Sequence, residues 1–308
     1  MNLEVLLEKA ARMSDMTVAV AAADDGEVID AVAAAIEQRL ARFHLFGNSD
    51  KIEHLLESKQ KGLSEHSSID IYHAASIEKA AELAVQSVRL NEASVLMKGN
   101  ISTAVILKAV LNKEAGLRTE NMLSHVAAFQ IPGQTRMIFI TDAAMNISPD
   151  LTAKADIIKN AVAIARSIGI EMPKVAALAA VEVVNPKMPA TVDGALLAQM
   201  NRRGQIKDCI VDGPLALDIA ISAAAAEHKG IQSEAAGMAD ILLVPNIETG
   251  NSLYKSLVYF AGAKVGAVIA GARAPIVLTS RSDSAESKLF SLALAICSVS
   301  NDKINPHT

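Results

Sequence analysis

The chain has 308 residues, 51% of them hydrophobic and 20% charged, with 29 Lys and Arg against 34 Asp and Glu for a formal net charge of −5. That length holds one large or two ordinary domains with sizeable cores. The composition is too apolar for disorder and too mixed in charge for a fibre or a coiled coil. With no run of Lys and Arg, three Tyr, six Phe and no Trp, neither a phosphate-backbone surface nor a base-stacking platform is expected, so nucleic acid is not a partner.

The opening MNLEVLLEKA places apolar residues at helical spacing and lacks the apolar core of a signal peptide. The longest uncharged stretch, residues 121–135, contains His125, Gln130, Pro132 and Gly133 and does not suit a membrane span. The expected setting is cytoplasmic, with no membrane partner.

In chain order, TVAVAAA at 17–23 reads as a buried strand, followed by Asp24-x-x-Glu27 as a capping-box start to a helix reaching about Arg42. Then come a strand at 43–46 closed by Gly47, a strand at 69–72, a helix at 76–91 and a strand at 93–97 closed by Gly99. Continuous apolar strands alternating with helices predict an α/β fold whose sheet is mostly parallel and covered on both faces. The rhythm breaks near 117–134, where 125–129 and 137–141 flank Pro132-Gly133 as a hairpin. This antiparallel pair suggests a second sheet and hence a second domain. Beyond it follow a helix at 153–168, a strand at 175–184, a helix at 192–202 and a strand at 206–211. A helix at 215–227, a strand at 241–245, a helix at 253–261, strands at 265–270 and 276–278 and a last helix at 284–298 complete the series.

Ligands bind parallel α/β sheets at the carboxyl ends of strands, where loops feed helix N-termini, and three such junctions are unusually polar. Lys98-Gly99-Asn100-Ile101-Ser102-Thr103 combines a glycine with hydroxyls and backbone N–H groups that could hold an anion, with Lys108 further along. By itself this loop reads equally as a glycine turn with Ser102 or Thr103 as N-cap, and it is not a P-loop. Pro245-Asn246-Ile247-Glu248-Thr249-Gly250-Asn251 fits an ordinary capped turn, and spacing alone says little more. Leu278-Thr279-Ser280-Arg281-Ser282-Asp283-Ser284 packs hydroxyls, a guanidinium and a carboxylate before a helix. An Arg at a helix N-terminus opposes the dipole, and a bound anion would relieve that conflict. The seven His residues form no HxxxH or HExxH pair, so no catalytic metal is expected. Cys209 and Cys297 sit in apolar patterns and read as core rather than as nucleophiles, and no GxGxxG fingerprint is present.

Taken together, VDGPLALDIA at 211–220, the long run at 229–257, SRSDSAESK at 280–288, LMKGNIST at 96–103, GLRT at 116–119 and FITDAAMNISP at 139–149 resemble the phosphate acetyltransferase and phosphate butyryltransferase family. The first-half motifs resemble the butyryl branch more than the acetyl branch. The resemblance implies two α/β/α domains with an interdomain cleft, in an isocitrate/isopropylmalate dehydrogenase-like fold. The expected division is 1–120 plus 272–308, and 121–271, the second domain carrying the subunit contact. It implies reversible acyl transfer between CoA and inorganic phosphate without metal or prosthetic group, in a homodimer or larger assembly. Ser280 and Arg281 match the family's catalytic pair, Ser102 and Thr103 match hydroxyls of its phosphate-side loop, and Asn251 joins them as a substrate contact. Lys108 stands where the acetyl branch has an arginine, and Ser287 where it has an aspartate proposed as general base; either Asp283 or Glu286 takes that role, or the thiol is deprotonated in another way. Two other readings stay open: a decarboxylating dehydrogenase, which would need an Asp cluster and a nucleotide loop not found here, and a non-catalytic acyl-CoA-binding protein.

Overall fold

The structure is a computed structural model that describes residues 2–13, 16–278 and 283–299. Ser280 and Arg281 therefore lie outside the described residues. The chain forms two compact units, one made of Leu3–Asn121 together with the chain from Gly266 onwards, the other of Met122–Val265.

The chain begins with α1 (Leu3–Arg12), β1 (Thr17–Ala21), α2 (Gly26–Glu37), β2 (Arg42–Gly47) and α3 (Ser49–Lys59). A 3-10 turn (Leu63–Glu65), β3 (Ile69–His73), α4 (Ile77–Arg89), β4 (Val95–Lys98) and α5 (Thr103–Val110) follow. The second unit holds β5 (Ser124–Gln130), β6 (Ile138–Thr141), α6 (Leu151–Ser167), β7 (Lys174–Leu178), α7 (Pro189–Arg202) and β8 (Ile210–Leu215). It continues with α8 (Leu217–Ile221), α9 (Ala223–His228), β9 (Ile241–Leu243) and α10 (Ile247–Tyr259), after which β10 (Lys264–Ala270), β11 (Ile276–Val277) and α11 (Ala285–Cys297) return to the first unit.

In the first unit the strands run β3-β2-β1-β4-β11-β10. All pairs from β3 to β11 are parallel, and only β10 against β11 is antiparallel. The central strand β1 is Ala- and Val-rich and fully buried from Val18 to Ala21. Small side chains there let α4 pack closely on β1 and β2. The carboxyl-terminal helix α11 is apolar nearly all round and packs between α1, α2 and β11, as a helix without a solvent face must. In the second unit the order is β5-β6-β9-β7-β8, with β5 and β6 forming the expected antiparallel hairpin and the remaining pairs parallel.

Most helices that follow strands open on short polar caps, because the first N–H groups of a helix lack intrahelical acceptors. Asn48, Ser76, Ser102, Asp150, Asn246 and Ser284 each accept from the N–H three residues on.

Several expected boundaries move. The cap of α2 is Asp25, which accepts from the Glu27 and Val28 N–H groups, so Asp24 is not the cap. The helix stops at Glu37 rather than near Arg42, since Arg39 adopts a left-handed φ of 55° and Arg42 already pairs with β1. The strand expected over 175–184 ends at Leu178, because its pairing with β9 stops at Ala177 and that with β8 at Leu178. The strand at 206–211 and the helix at 215–227 are replaced by β8, which runs through Gly213-Pro214 to Leu215, and by two short helices. The helix expected from residue 253 starts at Ile247, six residues earlier.

The turn after β6 is organised by a buried carboxylate. Asp142, 2% exposed, accepts from the N–H groups of His125 at 3.1 Å and of Ala144 and Met145 at 2.9 Å, and from the Asn146 side chain at 2.7 Å. Truncation would strand these donors. Asp142→Ala is expected to lower unfolding free energy by about 2–4 kcal/mol, measured by urea denaturation; a loss below about 1 kcal/mol would contradict this role.

Candidate active site

The end of β4 meets β1 at very short range. The Gly99 and Asn100 N–H groups donate to the Ala21 and Ala22 carbonyls, both at 2.8 Å. A Cβ on Gly99 would collide with the Ala22 carbonyl oxygen and lie 2.6 Å from that of Ala21. The glycine therefore permits a backbone approach to the neighbouring strand, and these two N–H groups are spent there rather than offered to an anion. What the loop presents outward is the start of α5. Ser102 caps it, its hydroxyl accepting from Val105 N–H at 3.3 Å, which leaves the hydroxyl hydrogen to donate. Thr103 is exposed in the first turn.

These residues line a cleft of about 610 Å³ within the first unit, bounded by Lys98, Asn100, Ser102, Thr103, Glu27 and Lys288 among others. Lys98 is half-buried, with its ammonium 3.3 Å from the Gly99 carbonyl. Lys288, in the first turn of α11, is 8% exposed, and its ammonium lies 3.3 Å from the Glu27 carboxylate. The carboxylates of Glu27 and Glu78 are exposed at the rim, whereas Asp25 spends an oxygen on the α2 cap. The cleft thus lines the carboxyl end of β4 and the N-terminus of α5 with two lysines less exposed than Glu27 and Glu78 and with the hydroxyls of Ser102 and Thr103, a setting that suits an anion.

The structure brings Ser102 and Thr103 together on this cleft. Lys108 falls in the last turn of α5 and is exposed, outside the cleft lining. Asn251 belongs to the other unit, on α10, with its side-chain amide donating to the Ala143 carbonyl at 3.4 Å. Gly250 before it packs against the Asp142 carbonyl oxygen, 2.6 Å from a Cβ position. Asp283 is half-buried just before the Ser284 cap of α11, and Glu286 is exposed. Sequence alone does not mark Lys288, because a lysine in a first helical turn reads as solvated and its burial is a matter of packing.

The second unit has its own cleft of about 870 Å³ at the ends of β7 and β9, more apolar, with Lys154 and Asp193 paired at 2.6 Å in its wall. Both thiols are buried, and burial pushes Cys209 and Cys297 up to about 11, which suits core residues and not nucleophiles. Among the described residues no group of three His, Cys, Asp or Glu side chains could hold a metal ion, and no helix is long and apolar enough to cross a membrane.

An α/β fold with a polar cleft at a strand end and a capped helix start suits the binding of an anion. The family model described as "Phosphate acetyl/butaryl transferase" matches residues 62–296. A relative from Bacillus subtilis named "Probable phosphate butyryltransferase" is 57% identical, the alignment covering 96% of this chain and 98% of that one. A "Phosphate acetyltransferase" from Thermotoga maritima is 46% identical over 96% of this chain and 99% of that one. Among solved structures, a branched-chain phosphotransacylase from Enterococcus faecalis V583 superposes with a TM-score of 0.82 at 36% identity, covering 92% of this chain and 99% of that one. The chain belongs to the phosphate acetyl/butyryl transferase family and is an acyltransferase, the family's substrates being acyl-CoA and phosphate.

Gly99→Ala places a methyl group against backbone that cannot yield locally. It is expected to cost about 1–3 kcal/mol of stability and to impair the cleft, read by thermal unfolding and turnover; a variant with wild-type stability would contradict the close approach.

Proposed function

We propose that this chain catalyses reversible transfer of a short acyl group, butyryl by preference, between CoA and inorganic phosphate by direct attack in a ternary complex. The observation that supports the chemistry is the cleft at the end of β4, where Ser102, Thr103 and the first turn of α5 converge on space that suits a phosphate. Support for four carbons comes from the relative named for butyryl transfer at 57% identity over nearly the whole chain.

A phosphate oxygen attacks the thioester carbonyl, giving a tetrahedral oxyanion. Collapse breaks the C–S bond, so acyl phosphate forms and CoA leaves as a thiolate that takes up a proton. In reverse, the thiol must lose that proton before attacking the acyl phosphate. The free thiol is mostly protonated at neutral pH, so a nearby base speeds this direction. Asp283 or Glu286, in the run that resembles the family's catalytic segment, would take it. Ser280 and Arg281 would meet the oxyanion and the phosphate charge with charge-assisted donors. Holding both substrates together supplies proximity, so no covalent acyl-enzyme is needed. The transfer involves no redox change and is proposed to need no metal or prosthetic group. The same reading carries a cytoplasmic setting and a homodimer or larger assembly.

The test is thiol release by purified protein from acetyl-, propionyl-, butyryl- and valeryl-CoA, with and without phosphate. Phosphate-dependent release peaking at butyryl supports the reading. A peak at acetyl would put the chain with its acetyltransferase relatives, and CoA binding without release would favour a binding protein. Arg281→Ala is expected to lower kcat by about 100- to 1,000-fold with the fold intact by circular dichroism; near-normal turnover in the folded variant would overturn that assignment.

A further inference from the structure

Lys288 is a buried lysine of the cleft that the reaction as described leaves unused. It lies one helical turn beyond Ser284, its N–H donating to the Ser284 carbonyl at 3.1 Å. The surrounding turn of α11 packs against α2, so the stem of Lys288 is sequestered while its tip reaches the cleft. Among the described residues its charged partner is Glu27, at 3.3 Å, whose side chain is 57% exposed. An ammonium that lines the cleft and faces one largely solvated carboxylate is held only weakly by it, because solvent screens the pair. The Lys154–Asp193 pair is closer, at 2.6 Å, and its carboxylate is less exposed, at 23% against 57% for Glu27.

The groups around the same space are those that complete a site for a tetrahedral dianion. The Lys98 ammonium enters from the end of β4, the Ser102 and Thr103 hydroxyls from the start of α5, and the first-turn N–H groups of α5 add donors and the positive end of the dipole. Of the acids lining the cleft, Glu27 and Glu78 are exposed, where water attenuates them, and half-buried Asp25 spends an oxygen on the α2 cap.

We infer that Lys288 is the cation that binds inorganic phosphate in this cleft, and that Glu27 is its positioning partner, holding the ammonium when phosphate is absent. This assigns to Lys288 the charge that the sequence resemblance would place on Lys108, which lies at the far end of α5 outside the cleft lining. The inference rests on the proposed acyl transfer and deepens it.

The experiment is steady-state kinetics on the full chain, varying phosphate and butyryl-CoA separately. Lys288→Met is expected to raise KM for phosphate about tenfold or more while leaving KM for butyryl-CoA within about twofold. Glu27→Gln frees the ammonium and is expected to lower KM for phosphate, and it remains informative if Lys288→Met does not fold. A folded Lys288→Met with unchanged KM for phosphate, or a rise confined to butyryl-CoA, overturns the assignment; the latter would place a phosphate of CoA here instead. A Glu27→Gln enzyme with unchanged KM for phosphate and only a lowered Tm would reduce the pair to a structural contact. Wild-type protein lacking phosphate-dependent release would overturn the proposed function itself, whereas an active wild type with an unmoved Lys288→Met overturns only this inference.

Discussion

The close contact between the ends of β1 and β4 is the constraint on which the candidate site depends. Two carbonyls of β1 take two N–H groups of the β4 loop at 2.8 Å, and the position between them tolerates no Cβ. The contact forces the chain to turn at once after Lys98, so that Ser102 arrives as the cap of α5 and presents the helix start to the cleft. A larger residue at position 99 would lift the loop, and with it the hydroxyls, away from the strand ends. Packing at the sheet's carboxyl edge and the geometry of anion binding are one problem here.

The cleft also shows how the protein handles charge. Its acids sit at helix N-termini in the rim, where they favour α2 and α4 through the helix dipole. Its lysines come from β4 and α11 and lie deeper. Interactions inside are weakly screened and those outside strongly, so the inner cations dominate for a ligand that enters. The net charge of −5 therefore says little about the charge that a ligand entering this cleft would meet.

Much of the fold was legible because it obeys local rules. Buried parallel strands make continuous apolar runs, and Pro132-Gly133 marks the hairpin of β5 and β6. The misreadings occur where a tertiary neighbour decides. VAALAAVEVV reads as one strand, but pairing stops at Leu178, and Val183 and Val184 end up 69% and 55% exposed. Asn246 to Gly250 reads as a loop, yet it forms the first turns of α10, where the glycine is demanded by the Asp142 carbonyl against it. Of the candidate site, the hydroxyls of Ser102 and Thr103 could be found from a polar loop after a strand. Lys288 could not, because only the packing of α11 on α2 makes an ordinary first-turn lysine a buried cation.

The central claim is that phosphate occupies the cleft at the end of β4. A crystal structure of the protein with phosphate and the unreactive thioether S-butyl-CoA tests it most directly. The account requires phosphate within hydrogen-bond distance of the Ser102 or Thr103 hydroxyl and of the Lys288 ammonium. Phosphate bound elsewhere, with Lys288 still on Glu27 and only solvent in the cleft, would contradict it.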